Sequence, residues 1–156
     1  MQLEILVFEI EGQQFAVPSA DAVEVLRAAT ASPLPQAPPN IDGVLNIRGR
    51  VVPLFDTRGM LDLPQREMRH TDHLIIVRAE DQQIMLRVDR AIDLIHLESD
   101  DATAAESGAG ENLVRHVAKT SMGLIYVIDT KRLLSANDMS SLVGVLAQHS
   151  ATEVTA

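Results

Sequence analysis

Between Asp72 and Glu98 three apolar runs follow one another with only a turn's worth of chain between them. They are residues 73–79 (His-Leu-Ile-Ile-Val-Arg-Ala), 83–89 (Gln-Ile-Met-Leu-Arg-Val-Asp) and 91–98 (Ala-Ile-Asp-Leu-Ile-His-Leu-Glu), with Glu80-Asp81-Gln82 turning between the first two. A parallel strand pair needs a crossover of roughly a dozen residues or more, usually a helix. No such crossover fits here. This stretch is strand after strand, and it excludes an alternating strand–helix architecture.

The rest of the chain has the same habit. Residues 3–10 and Phe15-Ala16-Val17 flank the turn Glu11-Gly12-Gln13-Gln14 as an N-terminal hairpin. Residues 19–27 are two-sided: Val23 and Val25 alternate with Glu24 as in a strand, while Ala20, Asp21 and Ala22 suit the start of a short helix. Pro33, Pro35, Pro38 and Pro39 then forbid regular structure and make a stiff connector. It leads to Gly43–Asp56, two apolar runs that meet at an Arg48-Gly49 turn, where Gly49 supplies the backbone freedom of a tight reversal. Pro53 cannot donate a ladder hydrogen bond, which predicts an edge strand or a bulge there. Residues 57–61 fit at most a helical turn, 62–71 a polar loop and 99–112 a mobile loop. Further strands are expected at 113–118 and 123–129. Many short strands with closely spaced turns indicate an all-β barrel or sandwich.

The one strong helical period is C-terminal. Met139, Leu142, Val143, Leu146 and Ala147 form one apolar stripe, with Ser135 or Asn137 as its cap. The expected domain runs over 1–149, leaving 150–156 as a frayed tail. An echo links the two halves: Val51-Val52-Pro53-Leu54-Phe55-Asp56-Thr57-Arg58 is similar to Leu124-Ile125-Tyr126-Val127-Ile128-Asp129-Thr130-Lys131. It suggests an internal duplication into two small barrels.

Composition removes whole classes of function. A formal charge of -9 argues against a nucleic-acid or anionic-membrane surface. The absence of cysteine removes disulfides, thiolate catalysis and zinc–thiolate sites. The N-terminus lacks a basic leader, and no apolar run approaches the ~20 residues of a membrane span. The expectation is a cytoplasmic, soluble chain with no direct membrane insertion. His70 and His73 flank Asp72, but on a strand they point to opposite faces and cannot chelate together. His96 and His116 lie on apolar strands and read as packed or half-exposed residues. Ser107-Gly108-Ala109-Gly110 opens no strand–helix unit, and neither a nucleophile elbow nor a phosphate-binding loop is present. No enzymatic activity, cofactor or metal is expected. A phosphoacceptor receiver domain with Asp56 as its aspartate is a remote alternative, opposed by the strand succession at 72–98.

Arg48 remains to be explained. It is a large cation on a tight turn between two hydrophobic arms, a residue type that binding hot spots favour. In order, the chain presents Gln14-Phe15-Ala16-Val17, Val23-Glu24-Val25, Leu34-Pro35, then Ile41 through Gly49, Val52-Pro53 with Asp56-Thr57-Arg58, Ile84 through Asp89, Gly123 through Asp129, and Leu133-Leu134. This ordered set, over roughly residues 4–148, resembles the CheW-like chemotaxis adaptor proteins. The resemblance implies two SH3-like five-stranded β-barrels packed side by side with a hydrophobic cleft between them, in which the receptor's cytoplasmic tip would lie. The C-terminal amphipathic stripe itself reads as a helix packed on the barrel surface. It implies a non-enzymatic role, coupling chemoreceptors to a CheA-type histidine kinase in an array. The partners would be the kinase's regulatory domain and the receptor's cytoplasmic tip, through which the chain would be recruited to the inner face of the membrane. Carried over by position, Arg48 with Asn46 and Ile47 belongs to the receptor-facing region, and Val23, Glu24 and Val25 lie near it. A receptor-independent scaffold, or an adaptor of a surface-motility or second-messenger pathway, is the alternative on the same fold.

Overall fold

The computed structural model describes residues 2–98, 102–104 and 113–135. The chain opens with β1 (Gln2–Ile10) and β2 (Gln13–Pro18), passes a 3-10 turn at Ser19–Asp21, and continues into β3 (Ala22–Arg27). After the proline connector come β4 (Ile41–Ile47), β5 (Arg50–Phe55) and the single-turn helix α1 (Thr57–Met60). Then follow β6 (His73–Ala79), β7 (Gln82–Val88), β8 (Arg90–Glu98), β9 (Ala102–Ala104), β10 (Val114–Thr120), β11 (Gly123–Ile128) and α2 (Thr130–Ser135). The two-sided segment 19–27 thus divides, a turn first and a strand after.

The strands form one sheet in the order β8-β1-β2-β11-β10-β9 and another in the order β3-β6-β7-β5-β4. Without the three-residue β9, each is five-stranded. The all-β architecture is as the sequence predicts, whereas the stripe from Met139 to Ala147 lies outside the described residues.

The continuous apolar runs have a packing reason. Ile5 and Val7 of β1 point into a cluster inside their own sheet, with Ala16, Leu97, Ala118, Ile125 and Val127. Leu6, Phe8 and Ile10 of the same strand point the other way, into a cluster shared with Ile75, Val77, Ile84 and Leu86 of the second sheet. The second sheet repeats the arrangement: Val52, Leu54, Leu74, Ile76 and Met85 fill its interior. Strands β1, β6 and β7 are therefore buried on both faces at their centres, so alternation is lost over Ile5–Phe8, Leu74–Val77 and Ile84–Leu86, where every position is apolar.

Each sheet curls until its ends meet. Leu97 of β8 and Ala118 of β10, from opposite sides of the first sheet, share one cluster. In the second, Leu26 of β3 packs on the same core as Leu45 and Ile47 of β4. The two barrels also have the same plan. A hairpin (β1–β2 or β6–β7) is flanked by one antiparallel strand (β8 or β3). On its other side it pairs in parallel with the second strand of another hairpin (β10–β11 or β4–β5). The arms are exchanged: β3 leaves the hairpin that precedes it and pairs with β6, while β8 leaves β7 and pairs with β1.

Pro53 departs from its expected setting. β5 lies inside the sheet, and its pairing with β4 keeps register through Pro53. Its parallel pairing with β7 involves only Leu54 and Phe55. Pro53 sits where that flank of the strand is still open, so its missing N–H costs no ladder bond. Gly43 is required for another reason: a Cβ there would lie 2.4 Å from the carbonyl oxygen of Ser32, whose backbone exchanges hydrogen bonds with Val44.

Candidate protein-docking site

The β4–β5 turn consists of two residues, both with positive φ: Arg48 at 53° and Gly49 at 84°. Such a turn matches the right-handed twist of the flanking strands. Gly49 adopts it freely. Arg48 adopts it at a cost, and the turn is held by Asn46, whose side-chain oxygen accepts from the Gly49 N–H at 2.8 Å. The fixed turn aims the guanidinium across the open side of the barrel at β3. There Arg48 Nη1 donates to Glu24 Oε1 at 2.8 Å and Nη2 to Oε2 at 2.7 Å, a bidentate pair. The Arg48 hydrogen bond holds the Glu24 carboxyl below the usual carboxylate range. Because β3 and β4 are the two edges of their sheet, this ion pair spans the seam of the barrel.

The pair leaves most of Arg48 in solvent, with its side chain 73% exposed. Beside it Val23 and Val25, each 42% exposed, point outward from β3. A shallow groove lined by Val23, Glu24, Ile47, Arg48, Arg50, Ile76 and Gln83 runs between strand and turn. The structure thus brings together four of the residues singled out from sequence, Val23, Glu24, Ile47 and Arg48, in this groove. Val25 is exposed on the same strand outside it, and Asn46 fixes the turn. Arg50, Ile76 and Gln83 join from positions that no local pattern marked. They become neighbours only through the pairing of β3 with β6 and of β6 with β7.

A second charged group lies behind the barrel. Arg58, on α1, is 2% exposed and is the bulkiest fully buried side chain described. Its Nη2 donates to both oxygens of Asp89 at 2.8 and 3.0 Å, and its Nη1 to the Pro64 carbonyl and to Glu11. Arg66 continues the network, bonding Asp89 at 2.7 Å and both oxygens of Asp72 at 2.7 and 2.9 Å. Burial disfavours the charged forms of Asp72 and Asp89. The Arg66 and Arg69 N–H donors at Asp72, and Glu11 N–H with Arg58 at Asp89, outweigh it and hold both pKa values below the ordinary range. Glu11 belongs to the β1–β2 turn and Arg58 follows β5, so the network ties one sheet to the other. The residues read as a polar loop, 62–71, form a strap fastened by Arg66. In sequence the traces of this network are Asp56-Thr57-Arg58, the run ending at Asp89 and Asp72 between its histidines, with nothing local to show that they meet.

Other marked residues have structural tasks. Asp56 caps α1, accepting from Gly59 N–H at 3.0 Å and from Gln65 Nε2 at 2.8 Å, and no strand–helix alternation surrounds it among the described residues. The receiver alternative falls with that topology. His73 Nδ1 accepts from the Ala91 N–H at 3.0 Å, tying β6 to the start of β8. His96 points outward from β8 and meets Glu4 at 3.3 Å.

Comparison with known proteins gives a consistent result. A family model described as the CheW-like domain matches residues 4–138. The chain is 26% identical over 143 residues to the chemotaxis protein CheW of Bacillus subtilis, covering 90% of this chain and 92% of that protein. It is 42% identical over 53 residues to protein FrzA of Myxococcus xanthus, covering 34% of this chain and 33% of the other. Among solved structures, the scaffolding protein CheW of Thermoanaerobacter tengcongensis matches with a TM-score of 0.76 at 24% identity, covering 82% of this chain and 89% of that one. That last likeness establishes the fold.

Proposed function

The chain belongs to the CheW-like domain family, non-enzymatic adaptors of chemosensory signalling, and from this we propose that it couples chemoreceptors to a CheA-type histidine kinase. The observation that carries the reading is the Arg48–Glu24 pair flanked by exposed Val23 and Val25. A groove of this kind suits the end of a helical hairpin. Its aliphatic walls take the apolar face of a helix, and the N–H groups that Arg48 has left over after binding Glu24 take carboxylates or terminal carbonyls. The receptor's cytoplasmic tip is the partner we assign to this groove. No described helix is long and apolar enough to cross a membrane, so recruitment to the inner face of the membrane would run through the receptor.

The test is a binding titration of the chain against the regulatory domain of a chemosensory histidine kinase, followed by addition of a receptor cytoplasmic fragment. The expected result is a ternary complex that raises kinase activity and that Arg48→Glu weakens at the receptor step only. Kinase binding without any receptor binding would replace the coupling role by a scaffold role. Binding to neither would overturn the proposal.

A further inference from the structure

One hydrogen bond between the two barrels has a histidine as its acceptor. The chain leaves β7 at Val88, bends at Asp89 and enters β8 at Arg90, and this crossing carries it from the second sheet to the first. His73 opens β6 and lies opposite Val88 in the β6–β7 pairing, half-buried beside the crossing. The backbone N–H of Ala91 donates to Nδ1 of its ring at 3.0 Å. A backbone amide nitrogen only donates, so Nδ1 carries its lone pair there and the ring proton sits on Nε2. An imidazolium has a proton on both nitrogens and accepts at neither. Protonating His73 therefore takes away the acceptor of the Ala91 N–H.

That amide lies where β8 is weakly secured. β8 is an edge strand of its sheet, and its register against β1 shifts between Val7 and Phe8, leaving Ile92 with no opposite residue. The other ties at the crossing do not involve a histidine. Asp89 N–H donates to the Glu9 carbonyl at 2.9 Å, and the Asp89 carboxylate is taken by Arg58 and Arg66. Every element around the ring brings charge. β3 contributes Arg27, opposite His73 in the sheet, and β7 contributes Arg87, which donates to the Arg66 carbonyl at 2.9 Å. β8 contributes Arg90, bonded to Glu9 of β1 at 3.1 Å. The 62–71 strap contributes Arg66, Arg69 and His70, and Asp72 after it is bound by Arg66. Each carboxylate in this set is engaged by an arginine, so a His73 cation has no unclaimed acid to turn to among these groups.

The other described histidines act differently. His96 meets Glu4 at 3.3 Å inside the first barrel, a contact that protonation strengthens. Burial, with Arg115 and Arg132 nearby, pushes the His116 ring below the usual histidine range. We propose that His73 is a pH-sensitive latch on the crossing: its neutral ring holds the start of β8 to the second barrel, and protonation releases it. Histidine changes charge between about pH 5 and 8, so the latch is closed at the upper end and opens as pH falls. The core shared by Leu6, Phe8, Ile75 and Val77 keeps the barrels together throughout. The release is local and frees Arg90 to Ile92.

The experiment is amide hydrogen exchange of Ala91, followed by NMR on the full chain from about pH 8 to pH 5 and corrected for the intrinsic pH dependence of exchange. The proposed receptor coupling plays no part in it. The expected result is a fall of about tenfold or more in Ala91 protection, in step with protonation reported by the His73 ring nitrogens. His73→Phe, which has no acceptor at any pH, should show low protection without a step. His73→Asn, whose Oδ1 takes the place of Nδ1, should keep protection without a step, and His96→Gln should keep the parent's step. Circular dichroism superimposable on that of the parent shows that each variant is folded. Ala91 protection that stays level in the parent, a step out of register with the His73 ring, or a step that persists in His73→Phe would each overturn the proposal.

Discussion

Arg48 and Glu24 close the second barrel with two parallel hydrogen bonds of 2.8 and 2.7 Å, although 24 positions separate them in the chain. The sequence shows a cation on a turn and an acid on a strand. The structure makes them one group, in which the acid fixes where the cation points. A solvated arginine would sample many rotamers, whereas two hydrogen bonds to Glu24 hold this one, which would lessen the entropy lost if a partner bound there.

Exchanging the two charges tests that arrangement. Arg48→Glu alone should leave the thermal midpoint of the chain nearly unchanged, because the side chain is mostly in solvent, and should lower affinity for a receptor fragment about tenfold or more. The double variant Arg48→Glu with Glu24→Arg should recover the seam but not the affinity, since the cation then sits on β3 instead of the turn. Calorimetric titration of the three proteins reads both effects.

Arg58 should behave in the opposite way. Replacing it with Met keeps much of the volume but leaves the Asp89 carboxylate without its bidentate partner in a largely buried site. Removing one member of such a pair costs on the order of 3–5 kcal/mol. Urea unfolding should show the loss as a lower midpoint, and receptor affinity measured on the folded fraction should be preserved.

The same network predicts an acid limit. Asp72 and Asp89 have pKa values depressed in the fold, so their contribution is fully present above the ordinary carboxylate pKa and disappears as pH falls through their lower folded values. Stability should be level near neutral pH and fall steadily below about pH 4. Asp89→Asn should start lower at pH 7 and lose less on acidification. Urea midpoints of parent and variant, taken across this pH range, check the sign.

Gly43→Ala should destabilise the chain by about 1–3 kcal/mol, the usual penalty for overpacking, because the new methyl meets a backbone oxygen and no flexible side chain can yield. Replacing Gly49 with Ala, where a Cβ meets nothing within 4 Å, tests backbone strain alone. Thermal melts of the two variants separate clash from strain.

The turn at Arg48 was legible in sequence because it is built from adjacent residues, Arg48-Gly49 with Asn46 and Ile47. The nearness of Val23, Glu24 and Val25 was expected only from the family resemblance. The setting of Arg58 was not legible. An arginine after an apolar strand reads as solvated unless its anions are known, and these come from Glu11 and Asp89, distant in the chain.

What the sequence by itself determined is local. Apolar runs too closely spaced for crossover helices made the chain all-β, and glycines and prolines placed its turns. These properties depend on near neighbours, where backbone sterics and side-chain alternation act. Which sheet each strand joins was decided only by the tertiary structure. β3 and β8 both leave the hairpin that precedes them and close the other barrel, since only there does each find the apolar face and open edge that its own alternation requires. That exchange brings Glu24 to Arg48 and Glu11 to Arg58. It is settled by burial summed over the whole core, which no short stretch of sequence contains.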